Sequence, residues 1–339
     1  MNPLHRRALG AGACLLALAS QAAPTYRLTD HGDLGSGSAS AAGLNAQGEL
    51  VGTASPGGGL AVYTGFRTGS GQAKALKPLT PADYSRAFAL NDQGWVVGDS
   101  RGADGWAHAV LWKKGKPLDL GKLPAMWNSI ALAINNHGDV VGYSDHGARF
   151  SYGVLWRKGQ ISAIGPSQTT ANGINDAGEV IGNQRPYPSA GVLNCWRMAA
   201  DGTLSFLPKL SGTVCGVSAI NQAGEVVGYS AAPGGGFHAV LYRGDVLTDL
   251  GGLGGTTAVA MGLNDLGGIV GQASLPDGRA HAALFVEGGT AVDLNTLLDP
   301  VSGAGYELIE ARRINASGQI AATASKDGTT RAVLLTPMP

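Results

Sequence analysis

The sequence predicts an all-β fold, a seven-bladed β-propeller of four-stranded antiparallel blades, and three observations lead to it. A short pattern recurs along the chain, glycine turns divide each copy into four short apolar segments, and an N-terminal segment matches the strand that the last copy lacks. The pattern is Asn-x-x-Gly-x-(Val/Ile)-(Val/Ile)-Gly. It begins at Asn45, Asn91, Asn135, Asn175, Asn221 and Asn264, with a degenerate seventh copy at Asn315. Successive copies lie 40 to 51 residues apart, the length of one blade.

Each copy carries four strand signals separated by turn chemistry, the arrangement of a small antiparallel meander. In the second copy these are Arg86 to Leu90, Trp95 to Asp99, His108 to Trp112 and Pro117 to Leu120. Between the first two, Asn91-Asp92-Gln93-Gly94 suits a hairpin turn in which Asn bonds its own backbone and Gly takes the left-handed conformation. Lys114-Gly115, Lys158-Gly159 and Arg243-Gly244 supply a second turn, between the third and fourth strands. Asp-Leu-Gly then recurs at Asp33, Asp119 and Asp249, where the Asp is expected to cap the turn into the next blade.

The chain ends supply the topological clue. The last copy, Glu310 to Leu335, provides three strands, and the segment from Tyr26 to Gly35 reads as a fourth strand with its Asp-Leu-Gly turn. Pairing the two completes a seventh blade and removes the exposed edges that an open array would keep. The structural alternative is an open solenoid.

Bulk properties narrow the functional classes. Glycine contributes 54 residues while 44% of residues are hydrophobic, so the chain can bury a core and also needs many tight turns. Lys plus Arg equals Asp plus Glu at 24 each, which leaves no surplus positive field for a nucleic-acid backbone or an anionic membrane surface. Residues 1–22 read as a signal peptide: Arg6 and Arg7, an apolar run from Ala8 to Ala19, then Ser20-Gln21-Ala22 ahead of cleavage. The paired arginines leave a twin-arginine route open beside the general one. No segment is apolar for the ~18 residues a membrane span needs, and Cys14 lacks the upstream aliphatic residue of a lipoprotein anchor. Residues 23–339 are then a single exported β-propeller domain, periplasmic or extracellular, and a monomer is expected. Cys195 and Cys215 form a disulfide, as an even pair in an exported protein suggests, or serve as small buried hydrophobes.

The repeating unit resembles the HAF family of extracellular repeats, named for a His-Ala-Phe tripeptide between the two turns. The resemblance is carried by INNHGDVVGYS, HAVLWKKGKPLDLG and HAVLYRGDVLTDLGGLGGTTAVAMGLN, and it spans nearly all of the chain beyond the leader. The sequence departs from the tripeptide: His108-Ala109 and His238-Ala239 precede Val, and His281-Ala282 precedes Ala. The resemblance implies fold and export; it implies no particular activity.

No residue set stands out as catalytic, cofactor-binding or metal-ligating. His108, His238 and His281 sit at one equivalent position in separate blades, so they cannot converge within ~2 Å of one ion and are expected to make a hydrogen bond inside each blade. Trp112, Trp156, Trp196, Tyr242 and Phe285 also recur once per blade and are expected to wedge between sheets. Glycine-rich Gly57-Gly58-Gly59 and Gly251 to Gly255 lack the helix and lysine of a phosphate loop. Binding surface is sought instead where the repeat is broken. Trp95, Trp106 and Trp127 depart from it, and Arg101 to Trp106, Arg185 to Ser189 and Leu297 to Tyr306 are irregular insertions, which adds Arg185, Tyr187 and Tyr306 as candidates. The function expected is a non-catalytic scaffold for an unknown protein or carbohydrate ligand, without cofactors. The alternative is a carbohydrate-active enzyme, a lyase or hydrolase, at the channel mouth; ionisable side chains from three or more blades meeting there would favour it.

Overall fold

A computed structural model describes residues 25–35, 37–56, 63–69, 72–147, 150–186, 191–288 and 290–339. Residues 1–22, read above as a signal peptide and including Cys14, and the Gly57-Gly58-Gly59 segment lie outside the described residues. The fold is the expected seven-bladed β-propeller of four-stranded antiparallel sheets.

The first strand, β1 (Tyr26–Asp30), belongs to the last blade. Blade I holds β2 (Gly37–Leu44), β3 (Leu50–Pro56), β4 (Thr64–Arg67) and β5 (Lys74–Ala75); blade II holds β6 (Ser85–Leu90), β7 (Val96–Arg101), β8 (Ala107–Lys113) and β9 (Lys116–Asp119). Blade III holds β10 (Asn128–Ile134), β11 (Val140–Asp145), β12 (Ser151–Arg157) and β13 (Gln160–Ser167); blade IV holds β14 (Thr169–Ile174), β15 (Val180–Gln184), β16 (Asn194–Met198) and β17 (Leu204–Phe206). Blade V holds β18 (Cys215–Ile220), β19 (Val226–Ala231), β20 (Phe237–Arg243) and β21 (Val246–Gly251). Blade VI holds β22 (Ala258–Leu263), β23 (Ile269–Ser274), β24 (Ala280–Phe285) and β25 (Val292–Asp293). Blade VII holds β26 (Glu307–Ile314), β27 (Ile320–Lys326) and β28 (Thr329–Pro337), and β1 pairs with β28 from Tyr26 opposite Pro337 to Asp30 opposite Val333. The N-terminal strand therefore seals the ring. Among the described residues, no helix is long and apolar enough to cross a membrane.

Side chains alternate along each strand, so every sheet offers two apolar faces and buries them against the blades on either side. The consequence is seven separate cores, one at each blade interface. Val51, Leu76, Val96 and Trp112 fill the interface of blades I and II, for example, and Leu50, Phe66, Ala321 and Ala332 that of blades VII and I. No blade has a core of its own. The third-strand aromatics Trp112, Trp156, Trp196, Tyr242 and Phe285 are all buried, as wedges should be. Trp112, Trp156 and Tyr242 also reach back to a carbonyl of the preceding blade, at Lys77, Gly121 and Pro208.

Two local features explain the eight-residue pattern. Each inner strand skips one residue in its pairing, a β-bulge at Ala42, Phe88, Leu132, Asn172, Ser218, Met261 and Arg312. The closing Gly of the pattern lies beneath it: a Cβ on Gly98 would stand 1.9 Å from the Arg86 carbonyl oxygen, and one on Gly142 1.9 Å from that of Ile130. The seventh copy has Ala322 there, and its inner strand carries a second bulge at Ile309 that re-spaces the backbone.

The opening Asn does more than shape its own turn. Its Oδ1 accepts the backbone N–H four residues on in all seven copies, from Glu49 to Gln319. Its Nδ2 donates to the backbone carbonyl of the corresponding Asn in the next blade, and Asn315 donates to Asn45, which closes a ring of seven bonds of 2.8–3.4 Å. All seven asparagines are buried. Aspartate could accept in the turn but has no proton to donate across the interface.

Asn135→Ala removes the inter-blade bond and leaves turn N–H groups without an acceptor. It should lower the free energy of unfolding by about 2–4 kcal/mol in urea denaturation, with Asn135→Asp losing less because the turn acceptor survives.

Candidate functional site

Because strands alternate in direction, the Asn-x-x-Gly turns and the turns between third and fourth strands lie on one side of the ring. The loops between second and third strands, and the connections between blades, lie on the other. We call these the turn side and the loop side.

On the turn side the channel narrows through a collar formed by Leu44, Leu90, Ile134, Ile174, Ile220, Leu263 and Ile314, the last residues of the inner strands. Above the collar lies the Asn ring, and above that the second residues of the turns form a polar rim around a cavity of about 240 Å³. Five of these rim residues accept the backbone N–H of the preceding blade: Asp92 from Ala46, Asn136 from Asp92, Asp176 from Asn136, Gln222 from Asp176 and Asp265 from Gln222, all at 2.8–3.0 Å. Asn136 Nδ2 also donates to both Asp92 and Asp176. Carboxylates from three blades thus meet at one mouth, and each is already held by amide donors. Among the described residues no Lys, Arg, His or Tyr lines this cavity.

The three repeat histidines each bond an Asp in the fourth strand of the same blade. His108 Nδ1 lies 2.7 Å from Asp119, His238 Nδ1 2.8 Å from Asp249, and His281 Nδ1 2.6 Å from Asp293. The other oxygen of each Asp accepts the N–H two residues on, at Gly121, Gly251 and Asn295. One carboxylate therefore caps the exit turn and ties third strand to fourth. His281 Nε2 also meets Glu307 at 3.0 Å. Among the described residues no group of three His, Cys, Asp or Glu side chains could hold a metal ion.

The loop side is chemically richer. Asp99, fully buried on β7, accepts both Nε and Nη2 of Arg86 at 2.8 and 2.7 Å, and the Tyr84 hydroxyl at 3.1 Å. Burial pushes the Asp99 carboxyl up, while Arg86 and Tyr84 pull it back. The Arg86 guanidinium also lies over the rings of Tyr84 and Phe88. The Asp99 carboxylate is held within the protein on both oxygens, so the cluster ties β6 to β7.

Farther out, three aromatic rings stand in a row. Trp106, in the β7–β8 loop, stacks on Trp127, in the connection to blade III, with centroids 4.9 Å apart and planes 18° from parallel. Trp127 in turn lies 3.9 Å from the His146 ring in the β11–β12 loop. Trp106 and Trp127 are 41% and 40% exposed, and Phe150 beside them is exposed as well. The loops hold these rings firmly. Trp106 N–H donates to Asp104 and Trp127 N–H to the Asp145 carbonyl, while Lys122, paired with Asp104, donates to the Trp127 carbonyl. His146 N–H donates to the Phe150 carbonyl. An offset stack at this separation gains ~0.5–1.5 kcal/mol beyond its burial. It is a part-exposed aromatic stack, called the shelf below, with polar groups along its margin.

The candidate residues chosen from sequence thus separate. Trp106 and Trp127 come together, and His146 joins them from a loop that carries no unusual residue pattern. Trp95 lies on the turn side, half-buried, beneath the Lys113 ammonium at 3.6 Å and against Gly138 of the next blade. Arg185 is exposed on the loop side of blade IV, beside Tyr229, and Tyr187 lies outside the described residues. Tyr306 is on the same side at blade VII, where its hydroxyl donates to Asp30 at 2.9 Å and Lys326 covers its ring. It secures the closing strand. Cys195 and Cys215 are joined in a disulfide linking β16 of blade IV to β18 of blade V.

No family model matches the chain, and no curated protein matches it. Solved structures do. The β-propeller domain of the Trilobed protease from Pyrococcus furiosus aligns with a TM-score of 0.55 at 12% identity, over 76% of this chain and 84% of that one. A puromycin-hydrolyzing peptidase from Mycobacterium tuberculosis aligns with a TM-score of 0.55 at 12% identity, over 92% of this chain and 51% of that one. TolB from Acinetobacter baumannii aligns with a TM-score of 0.47 at 12% identity, over 81% of this chain and 60% of that one. The chain spans only part of the length of TolB and of the peptidase. At this identity the likeness is one of fold alone.

Burial would lower the affinity of His281 for its proton, but Asp293 and Glu307 outweigh it and hold the imidazole above its ordinary value of 6.5. Its stabilising contribution is then complete below pH 6.5 and is lost as pH rises through the raised value. The stability difference between the parent and His281→Gln should therefore be larger at about pH 5.5 than at about pH 9 in urea denaturation.

Proposed function

We propose that this chain is an exported, non-catalytic β-propeller of the HAF repeat type that binds a carbohydrate on the Trp106–Trp127–His146 shelf. The shelf carries the proposal. A stack of rings, part-exposed to solvent and fixed through its backbone, offers ring edges and an end face to the C–H face of a sugar ring, and the polar groups at its margin suit the hydroxyls. Exposing two indoles is unfavourable for a monomer unless something covers them. A protein ligand would ask for a broader apolar patch with a satisfied polar rim than three rings in a row provide. The disulfide between blades IV and V suits an oxidising compartment, in keeping with the N-terminal leader seen in the sequence.

The second reading is a carbohydrate-active lyase or hydrolase at the turn-side mouth, and it draws on Asp92, Asp176 and Asp265 meeting there from three blades. The cavity offers no cation to neutralise developing negative charge, and its carboxylates already accept amide protons. Both weigh against catalysis.

A glycan array with the purified protein, run beside a pull-down from the producing cell's envelope, tests the first reading. A glycan hit should lose about tenfold or more in affinity, ~1.4 kcal/mol, in both Trp106→Ala and Trp127→Ala. A silent array with one protein captured would replace the carbohydrate with a protein partner. Chain cleavage of a polysaccharide that disappears in Asp176→Asn would establish the enzyme instead.

A further inference from the structure

A second cavity lies on neither the shelf nor the channel. It is a groove of about 900 Å³ on the turn side between blades I and II, well within the size range of ligand pockets. Buried Leu76, Val96 and Trp112 underlie its floor, whose accessible apolar surface comes from exposed Ala75 and half-buried Pro117. Lys74 and Lys77 line it from blade I, and Lys114 and Lys116 from blade II. At one end stands Arg67, already committed to Glu49 and to the Gly94 carbonyl.

Two observations mark these lysines out. Six of the nine lysines of the chain fall between residues 74 and 122, although the chain as a whole is neutral. Moreover, four lysines without a carboxylate partner among the described residues line this one cavity, whereas the others of that kind, Lys113, Lys158, Lys209 and Lys326, are not among its lining residues. Arg67, Arg86, Arg101, Arg157, Arg197, Arg243, Arg279, Arg312 and Arg331 are all ion-paired, and Lys122 pairs with Asp104. None of Lys74, Lys77, Lys114 and Lys116 has a carboxylate partner among the described residues, and no acidic side chain lines the groove.

Lysines on outer strands can serve simply to block edge-to-edge pairing. In this ring they do not serve that purpose generally: the outer strands β13, β17, β21 and β25 contain no lysine. Only the two blades that wall the groove carry them there. Four lysines without carboxylate partners lining one cavity repel one another until an anion enters, and a groove with cations on both walls suits more than one anionic group. Lysine binds each as a point charge, without the planar fork that arginine offers to phosphate. The apolar floor adds a second requirement, a ligand whose backbone between charges has an apolar face.

We infer that the groove between blades I and II binds an anionic oligosaccharide, its uronate carboxylates held by Lys74, Lys77, Lys114 and Lys116 and its ring faces against the apolar floor at Ala75 and Pro117. This site is separate from the aromatic shelf and stands or falls without it. Tri- to hexagalacturonate titrated into the purified protein by calorimetry tests it. Binding should weaken as salt is raised, and should fall about tenfold or more for the fully methyl-esterified oligomers and in the double variant Lys74→Ala/Lys116→Ala. Lys158→Ala, the same turn position one blade on and outside the groove, and Trp106→Ala/Trp127→Ala should bind as the parent does. Equal binding of the methyl esters, an equal loss in Lys158→Ala, or equal affinity for linear polyphosphate of the same length would overturn the proposal, since each would mean diffuse attraction to charge or none at all. Retained thermal unfolding temperatures in the exposed lysine variants separate lost binding from lost fold.

Discussion

The constraint on which the rest of the structure depends is the placement of one primary amide per blade, buried at the narrow end of the channel. Each asparagine spends its oxygen on its own turn and its nitrogen on the neighbouring blade, so local conformation and ring geometry are set by the same side chain. A carboxylate, a hydroxyl or a methyl group could do at most part of this. Because the last bond runs from Asn315 to Asn45, the chain of donors has no terminus. The rim above repeats the principle less completely: where Ala46 and Ala316 occupy the second turn position, the side-chain acceptors stop.

Everything outward of that ring follows from packing. Bulges curve the inner strands, glycines beneath them let the second strands approach, and the apolar faces meet their neighbours in seven cores. Farther out the His–Asp pairs and the aromatic wedges tie third strands to fourth strands and to the previous blade. The interior is repetitive, whereas the outer surface is not. That contrast is where binding features become visible: stacked rings in the loops of blades II and III, and a cationic groove between blades I and II.

The parts of this design that rest on local chemistry could be read from the sequence. Asn-x-x-Gly turns, the Asp cap before the next blade, the third-strand wedges and the closure by residues near Tyr26 all depend on residue types within a few positions or on the repeat count. The amide ring could not be read, since it joins residues 40 or more positions apart and the same Asn already had a sufficient local explanation. Trp106 and Trp127 were visible because they break the repeat; His146 was not, because its loop looks like an ordinary turn and only proximity in space gives it a role. Trp95 breaks the repeat too, yet the space it fills is against Gly138 and Lys113, a packing task that no sequence pattern announces. Likewise Lys114 reads as a turn residue, and the groove appears only when β5 of the previous blade is set beside it.

The pairing of β1 with β28 has a temporal consequence. Ribosomes release the N-terminal strand first, and its partner is among the last segments to emerge, so that Tyr26 and Leu28 must wait, uncovered, for nearly the whole of translation before Leu335 and Val333 arrive. Because every core lies between neighbouring blades, apolar surface is buried as each new blade packs on the one before it, and only the seal between β1 and β28 must wait for residues 329–337.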